Sequence, residues 1–494
     1  MITFFVAFLT SVVVGAVLTL AVRNRAHAYG WLDQAKSSRK IHVRPIPRLG
    51  GVAIVGGFFA PLCALMLVDS GVGTAFFMQD KLALGLFVGG VAIAALGLYD
   101  DFRGAGARLK FTVQFGVAAA LYSLGFRAEV IANPFGDPIA LGWLAIPFTL
   151  LWIVGVVNAM NLIDGLDGLA GGVAFFAVLP NFILAFARGD VVLCLTMASM
   201  GGAVLGFLIF NFNPASIFMG DTGSMFLGFV LAAVSLKTYS KSGTAVAMLV
   251  PLIALGLPIM DTLLAVVRRT ALRRPLFSAD KEHIHHRIMS RMLLSHRRAV
   301  LALYGVCCLF ALTALGLSYA NSAQSAMLLT AIAIVVVVLM RKLGYLSLAR
   351  AGELGETRRR NGQLRLVVRD VGEAIGRATS LQGIWDALRG LPETVNATRL
   401  QLRVDRSLKG GTEAFTFESS RSAGGALPFE LVLELREGEA ALGRITLTWC
   451  DGRGEVDRDE ELALEVLADG VARAVAAIQA RDTADPAKVI TLRQ

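Results

Sequence analysis

The hydrophobic and polar positions of this 494-residue chain fall into two regimes. Up to about residue 340, long apolar runs alternate with short polar loops; beyond it no run is long enough to cross a bilayer. A membrane core takes about 20 mostly apolar residues per helix. Eleven segments follow that pattern: 3–22, 49–69, 82–99, 111–126, 141–157, 169–187, 191–210, 223–236, 244–266, 299–319 and 325–340. They predict an all-α polytopic membrane domain over 1–340. After it, 341–360 reads as a polar linker ending in Arg358-Arg359-Arg360, and 361–390 reads as helix. Period-two alternation then predicts four strands, in 400–404, 414–417, 431–435 and 442–450, before an apolar-faced helix over 457–478. Helix, antiparallel strands and helix make a small cytosolic α+β domain over 361–480, and 481–494 reads as a disordered tail.

Composition agrees with the pattern. Hydrophobic residues make up 55% of the chain and charged residues 17%, which excludes a disordered, collagen-like or wholly soluble protein. The net charge of +10 has an informative location. Residues 341–494 hold 23 basic and 23 acidic side chains, so the whole excess lies in the apolar part. Nineteen of the 24 Lys and Arg there fall in the loops 23–48, 100–110, 158–168, 211–222 and 267–298. Positive loops stay in the cytoplasm, so the N-terminus is expected outside and the C-terminal domain inside. The basic balance thus reflects topology: membrane lipids are the expected partner, and nucleic acid is not. The first apolar segment is not a cleaved signal, because its basic residues, Arg23 and Arg25, follow rather than precede it. The five cysteines form neither a disulfide framework nor a CxxC pair.

Candidate chemistry collects at one membrane face. Asp100, Asp101, Asp164, Asp167 and Asp221 stand at segment ends in three cytoplasmic loops, with few cations beside them in sequence. Gathered carboxylates repel one another unless a cation binds, and Mg²⁺ accepts one or two carboxylates together with water and phosphate. Asp100-Asp101 closes the third segment, and like-charge proximity would raise one pKa, which suits a general base. Asn158, Asn161, Asp164 and Asp167 recur every three residues; each Asp is followed by Gly, which lets backbone approach a ligand. Asp221, Thr222 and Ser224 open a helix whose N-terminus favours phosphate, and Phe218 before it is either a base-stacking ring or an ordinary buried aromatic. The loop 38–51 carries Lys40 and His42 in a basic, Pro- and Gly-punctuated run. His283, His285 and His286, three of the six histidines, precede Arg287 in the longest basic loop. No cysteine is near, so a polyanion with its sugar suits that loop better than zinc.

Together these residues resemble the bacterial polyprenyl-phosphate N-acetylhexosamine-1-phosphate transferases, the WecA-like and MraY-like enzymes. The resemblance covers residues 1 to about 340, with every motif in family order and the family's eleven-helix, N-out, C-in topology. It implies that undecaprenyl phosphate attacks the β-phosphorus of a UDP-N-acetyl sugar, releasing UMP and initiating cell-surface glycan synthesis. It implies Mg²⁺, with Mn²⁺ as substitute, and a multi-pass protein of the bacterial inner membrane with a cytoplasmic site. By the same resemblance Asp100 and Asp101 bind or deprotonate the lipid phosphate, and Asp221 and Asn161 serve the metal. Asp164, Asp167 and Phe218 belong to the nucleoside side, with Lys40, His42 and Asn158 as further substrate contacts. His283, His285, His286 and Arg287 form the sugar-diphosphate loop. Gly104 stands where some relatives carry a third acid. The His-Ile-His-His form is WecA-like, which favours UDP-GlcNAc over the peptide-bearing precursor of MraY-like members. The C-terminal domain resembles the end of a GAF-like fold, with regulation or self-association as its role; a homodimer is one expectation. A transporter or flippase would instead place its acids near the bilayer midplane. A membrane-tethered sensor would carry degenerate acidic motifs.

Overall fold

The computed structural model of the protein describes residues 1–32, 45–65, 80–131, 139–240, 249–271, 283–345, 350–406, 411–418, 427–438, 440–454, 456 and 458–484. Two compact units emerge, one of residues 1–268 with 276–347 and one of 269–275 with 348–494.

The described part of each of the eleven apolar segments lies mainly on helix. In chain order the helices are α1 (Ile2–Tyr29), α2 (Gly50–Ala64), α3 (Asp80–Arg103), α4 (Ala107–Ser123), α5 (Ala145–Ile163), α6 (Leu169–Ala187) and α7 (Val191–Asn211). They continue as α8 (Gly220–Ser240), α9 (Leu249–Ala254), α10 (Gly256–Ala271), α11 (Ile284–Met292), α12 (His296–Leu317) and α13 (Ser322–Lys342). Two short strands, β1 (Val130–Ile131) and β2 (Ile139–Ala140), form a hairpin between α4 and α5. Among the described residues, α1, α3, α5, α6, α7, α12 and α13 are long and apolar enough to cross a membrane. The segment 244–266 is broken into α9 and α10 around Leu255.

Helix α8 is the axis of this unit. From Met225 to Leu236 every side chain is buried, the mark of a helix surrounded by others. It packs against α2, α3, α5 and α6. The crossings are close because small residues meet backbone. A Cβ on Gly97 would lie 2.4 Å from Thr222 Cα, and one on Gly51 would lie 2.1 Å from Gly223 N. Lipid tails are as apolar as leucine, so such backbone contact, not hydrophobicity, holds membrane helices together. These two crossings fix the N-terminal end of α8 against the ends of α2 and α3.

The second unit contains α14 (Arg350–Arg377), α15 (Leu381–Leu388), α16 (Leu391–Thr394), β3 (Arg399–Arg406), β4 (Gly411–Glu418), β5 (Phe429–Glu437), β6 (Ala440–Trp449) and α17 (Arg458–Ala484). All four predicted strands are present, in one antiparallel sheet of order β4-β3-β6-β5. Leu400 and Leu402 pair with Leu447 and Ile445 across β3 and β6, and all four side chains are buried. Trp449 closes this core, its Nε1 donating to Val395 O at 2.9 Å. The expected linker is helical from Arg350 onward.

Candidate active site

Four helix ends converge on the acids. The C-terminus of α3 brings Asp100 and Asp101, the first turn of α4 brings Lys110, the C-terminus of α5 brings Asn161 and Asp164, and the first turn of α8 brings Asp221. Gly104 makes the reversal between α3 and α4 in the left-handed region (φ 71°), which a β-carbon would disfavour. The reversal folds Lys110 back over Asp100.

Lys110 Nζ bridges two carboxylates, 2.7 Å from Asp100 Oδ2 and 2.6 Å from Asp221 Oδ2. Asp101, although adjacent to Asp100, does something else. Its carboxylate accepts the backbone N–H of Asp221 at 2.8 Å, the N–H of Thr222 at 3.0 Å and the Thr222 hydroxyl at 2.6 Å. Asp101 therefore caps α8 from a neighbouring helix. The helix N-terminus that the sequence offers to a phosphate is taken by this carboxylate, a correction that only the α3–α8 crossing reveals. Gly220, at φ 71°, lets the chain enter α8 here; a Cβ would lie 2.1 Å from Arg48 O and 2.7 Å from the Asp101 carboxylate.

Asn161 Nδ2 donates to Ser224 Oγ at 2.9 Å, while Asn158 Nδ2 donates to Gln114 Oε1 on α4 at 2.7 Å. The shared spacing of the two asparagines thus ties α5 to two different helices. Asp164 forms the C-cap of α5, and its carboxylate makes no hydrogen bond among the described residues. Burial, then the negative charge of Asp221, pushes its pKa up to about 7, against the opposing charge of Arg48. Asp167 is buried and fully engaged: Oδ2 accepts from Asn213 Nδ2 at 2.9 Å and Ala215 N at 3.0 Å. Its own N–H donates to His296 Nε2 at 2.9 Å. Asn211 and Tyr304 tie down the next residue, Gly168, through its N–H and carbonyl. Asp167 thus organises the turn that presents Asp164. Phe218 is half-buried, its backbone pinned between Pro47 O and Gly50 N.

The histidines approach from α11. His285 packs on Gly165, where a Cβ would lie 2.4 Å from its Nε2, so it reaches the acid cluster directly beside Asp164. Burial drives its pKa down to about 3, keeping it neutral. His283 is parallel to it, with ring centroids 5.7 Å apart, and His286 is 4.4 Å from His285. Arg287 is turned away: it donates to Leu343 O at 3.2 Å and stacks 4.1 Å over the Tyr345 ring. Lys40 and His42 lie outside the described residues.

Sequence reasoning passed over His296 and Tyr304, whose partners are distant along the chain, read Arg48 only as one of the cations of the loop 38–51, and used Lys110 only as an accessory. Asp261 carried a usable signal, as an acid within an apolar segment.

Among the described residues, four carboxylates (Asp100, Asp101, Asp164 and Asp221) face two cations, Lys110 and Arg48, a negative excess. Among the described residues no three His, Cys, Asp or Glu side chains converge as a complete metal cage. Mg²⁺ takes one or two carboxylates and completes its shell with water and substrate phosphate. Asp164, without a hydrogen bond, and Asp221 are the oxygen donors that fit.

A bundle of helices apolar enough to cross a membrane, with acids at one end bridged by a lysine, fits an enzyme of phosphoryl chemistry at the membrane edge. The family model of glycosyl transferase family 4 matches residues 83–239, which span this cluster from α3 to α8. A Bacillus subtilis protein named "Probable undecaprenyl-phosphate N-acetylglucosaminyl 1-phosphate transferase" is 40% identical over 322 residues, 65% of this chain and 87% of that protein. The decaprenyl-phosphate N-acetylglucosaminephosphotransferase of Mycolicibacterium smegmatis is 35% identical over 357 residues, 68% of this chain and 85% of that protein. A phospho-N-acetylmuramoyl-pentapeptide-transferase of Listeria monocytogenes is 33% identical over 207 residues, 40% of this chain and 62% of that protein. The chain belongs to glycosyl transferase family 4.

Proposed function

We infer that the protein transfers N-acetylglucosamine 1-phosphate from UDP-N-acetylglucosamine to undecaprenyl phosphate, releasing UMP, at the cytoplasmic face of the bacterial plasma membrane. The observation that carries this reading is the Asp100–Lys110–Asp221 bridge at the converging helix ends. The names of the relatives support the substrates, with the pentapeptide transferases matching over a smaller part of the chain. Loop charge supports eleven crossings with the N-terminus outside.

The residues divide the work. Lys110 and Arg48 supply positive charge for incoming phosphate. An oxygen of the lipid phosphate forms a bond to the β-phosphorus of the nucleotide sugar, and the bond from that phosphorus to the UMP oxygen breaks. Asp100 holds Lys110 in place and accepts a proton from the lipid phosphate where that group arrives protonated. Asp221 and Asp164, with Asn161 beside them, would hold Mg²⁺, which supplies charge neutralisation at the transferring phosphoryl group. Asp167 and Asp101 position the turn and the helix that carry these donors. The second unit is read as a GAF-like regulatory domain on the strength of its antiparallel sheet and packed helices.

The test is UMP release from purified protein given Mg²⁺, undecaprenyl phosphate and a panel of UDP-sugars, with Asp221→Ala as control. Lipid-dependent release with UDP-N-acetylglucosamine, lost in the variant, is expected. Release with another sugar alone would overturn the substrate, and no release from folded protein would overturn the reaction.

A further inference from the structure

Asp261 lies inside the apolar segment 244–266, on α10, and is 2% exposed. A buried ionised carboxylate on an apolar helix is costly unless its partners compensate for lost water. Asp261 has two. Its Oδ1 accepts the backbone N–H of Ile284 at 2.8 Å, and its Oδ2 lies 2.9 Å from His283 Nδ1. These partners are the first residue of α11 and its N-cap.

The chemistry of the pair fixes a tautomer. An ionised carboxylate only accepts, so His283 donates from Nδ1, and in the neutral ring Nε2 then presents a lone pair. That Nε2 has no partner among the described residues. A lone pair does not bind a phosphate oxygen, which is itself an acceptor; it takes an O–H or an N–H. From His283 the parallel ring of His285 leads to Gly165 and the acid cluster.

We propose that Asp261 is a positioning residue of the transferase: it caps α11 and holds the His283 proton on Nδ1, so that Nε2 accepts a hydrogen bond from a hydroxyl or amide N–H of the sugar. This rests on the transferase reading. It assigns the Nε2 of His283 to the sugar rather than to the diphosphate.

The test uses the full-length protein in lipid nanodiscs, with ¹⁵N-labelled histidine and UMP release as independent readouts. In Asp261→Asn the amide oxygen still accepts from Ile284 while the NH₂ donates to Nδ1, so the His283 proton moves to Nε2. The expected kcat loss is about 10–100-fold, the range for outer partners that orient metal-ligating histidines. His283→Asn keeps a donor for Asp261 and lacks Nε2; the same loss is expected, with no further loss when Asp261→Asn is added. Should Asp261→Asn fail to fold, His283→Asn carries the test alone. Wild-type turnover in either variant, losses that multiply in the double variant, or an active wild type with its His283 proton on Nε2 would overturn the proposal. A wild type protonated on Nδ1 that releases no UMP from any UDP-sugar would refute the transferase reading and leave the pairing standing.

Discussion

Adjacent Asp100 and Asp101 should respond differently to the same change. Asp101→Asn keeps size and one acceptor oxygen but turns an NH₂ group toward the donors at the start of α8. Of the three hydrogen bonds now made by the carboxylate, one or two survive. An unsatisfied buried donor costs about 1–3 kcal/mol, and losing a helix cap costs about 0.5–2 kcal/mol. The two describe the same event, so a loss of about 2–3 kcal/mol is expected rather than their sum. For a domain of this size that lowers the thermal midpoint by on the order of 5 °C. Asp100→Asn keeps an acceptor for the Ala105 N–H and leaves Lys110 its bond to Asp221, so its midpoint should fall less than that of Asp101→Asn while turnover collapses. Thermal unfolding of both variants in the same nanodiscs, beside UMP release, reads the difference. An Asp101→Asn protein with the wild-type midpoint and no activity would refute the capping role and return Asp101 to direct contact with substrate.

Other perturbations test the rest of the cluster. Lys110→Met should cut UMP release on the order of 100-fold, the cost of removing one preorganised donor to a transferring group; unchanged turnover would remove Lys110 from phosphate binding. Gly97→Ala should destabilise the membrane unit by about 1–3 kcal/mol, because the new methyl meets the α8 backbone at Thr222 rather than a side chain that can move. The raised pKa of Asp164, about 7, sets a pH dependence. The metal-free fold favours its protonated form, so stability falls as pH rises from the ordinary carboxylate range through 7. Mg²⁺ displaces that proton, so the Mg²⁺-induced rise in thermal midpoint should be larger above pH 7 than below it; a pH-independent rise would exclude Asp164 as a ligand.

Much of the architecture was legible because both periodicities were strong. Long apolar runs marked the helices and alternation marked the four strands, since each pattern reports one buried face or a fully buried element. The acids at helix ends were legible as a group, because charge avoids hydrocarbon and loop charge fixed which ends share a face. Their division of labour was not. Asp164 and Asp167 share the same Asp-Gly context, yet one is without a hydrogen bond and the other is held by Asn213 and Ala215. Arg287 read as a phosphate ligand, but it bonds the carbonyl of Leu343 and stacks on Tyr345, residues that follow the C-terminus of α13. Spacing within a motif reports the face of one helix and says nothing about which distant element arrives there.

The capping by Asp101 bears on how phosphate is held. A helix N-terminus attracts anions through unsatisfied N–H groups and its dipole, and α8 begins at the centre of the cluster. With the N–H groups of Asp221 and Thr222 already committed to a carboxylate, α8 has little left to offer a substrate. On the proposed reaction, the described residues offer the two phosphates the positive charge of Lys110 and Arg48, and a bound cation would add to it. Lys110 is itself shared between two carboxylates, so its free charge is small. In that reaction a divalent cation would offset the negative excess that the described residues carry before two phosphorylated substrates arrive. Substrate affinity should therefore follow Mg²⁺ occupancy: raising Mg²⁺ should lower KM for the UDP-sugar before it raises kcat, and a KM independent of Mg²⁺ would place the phosphates on protein groups alone.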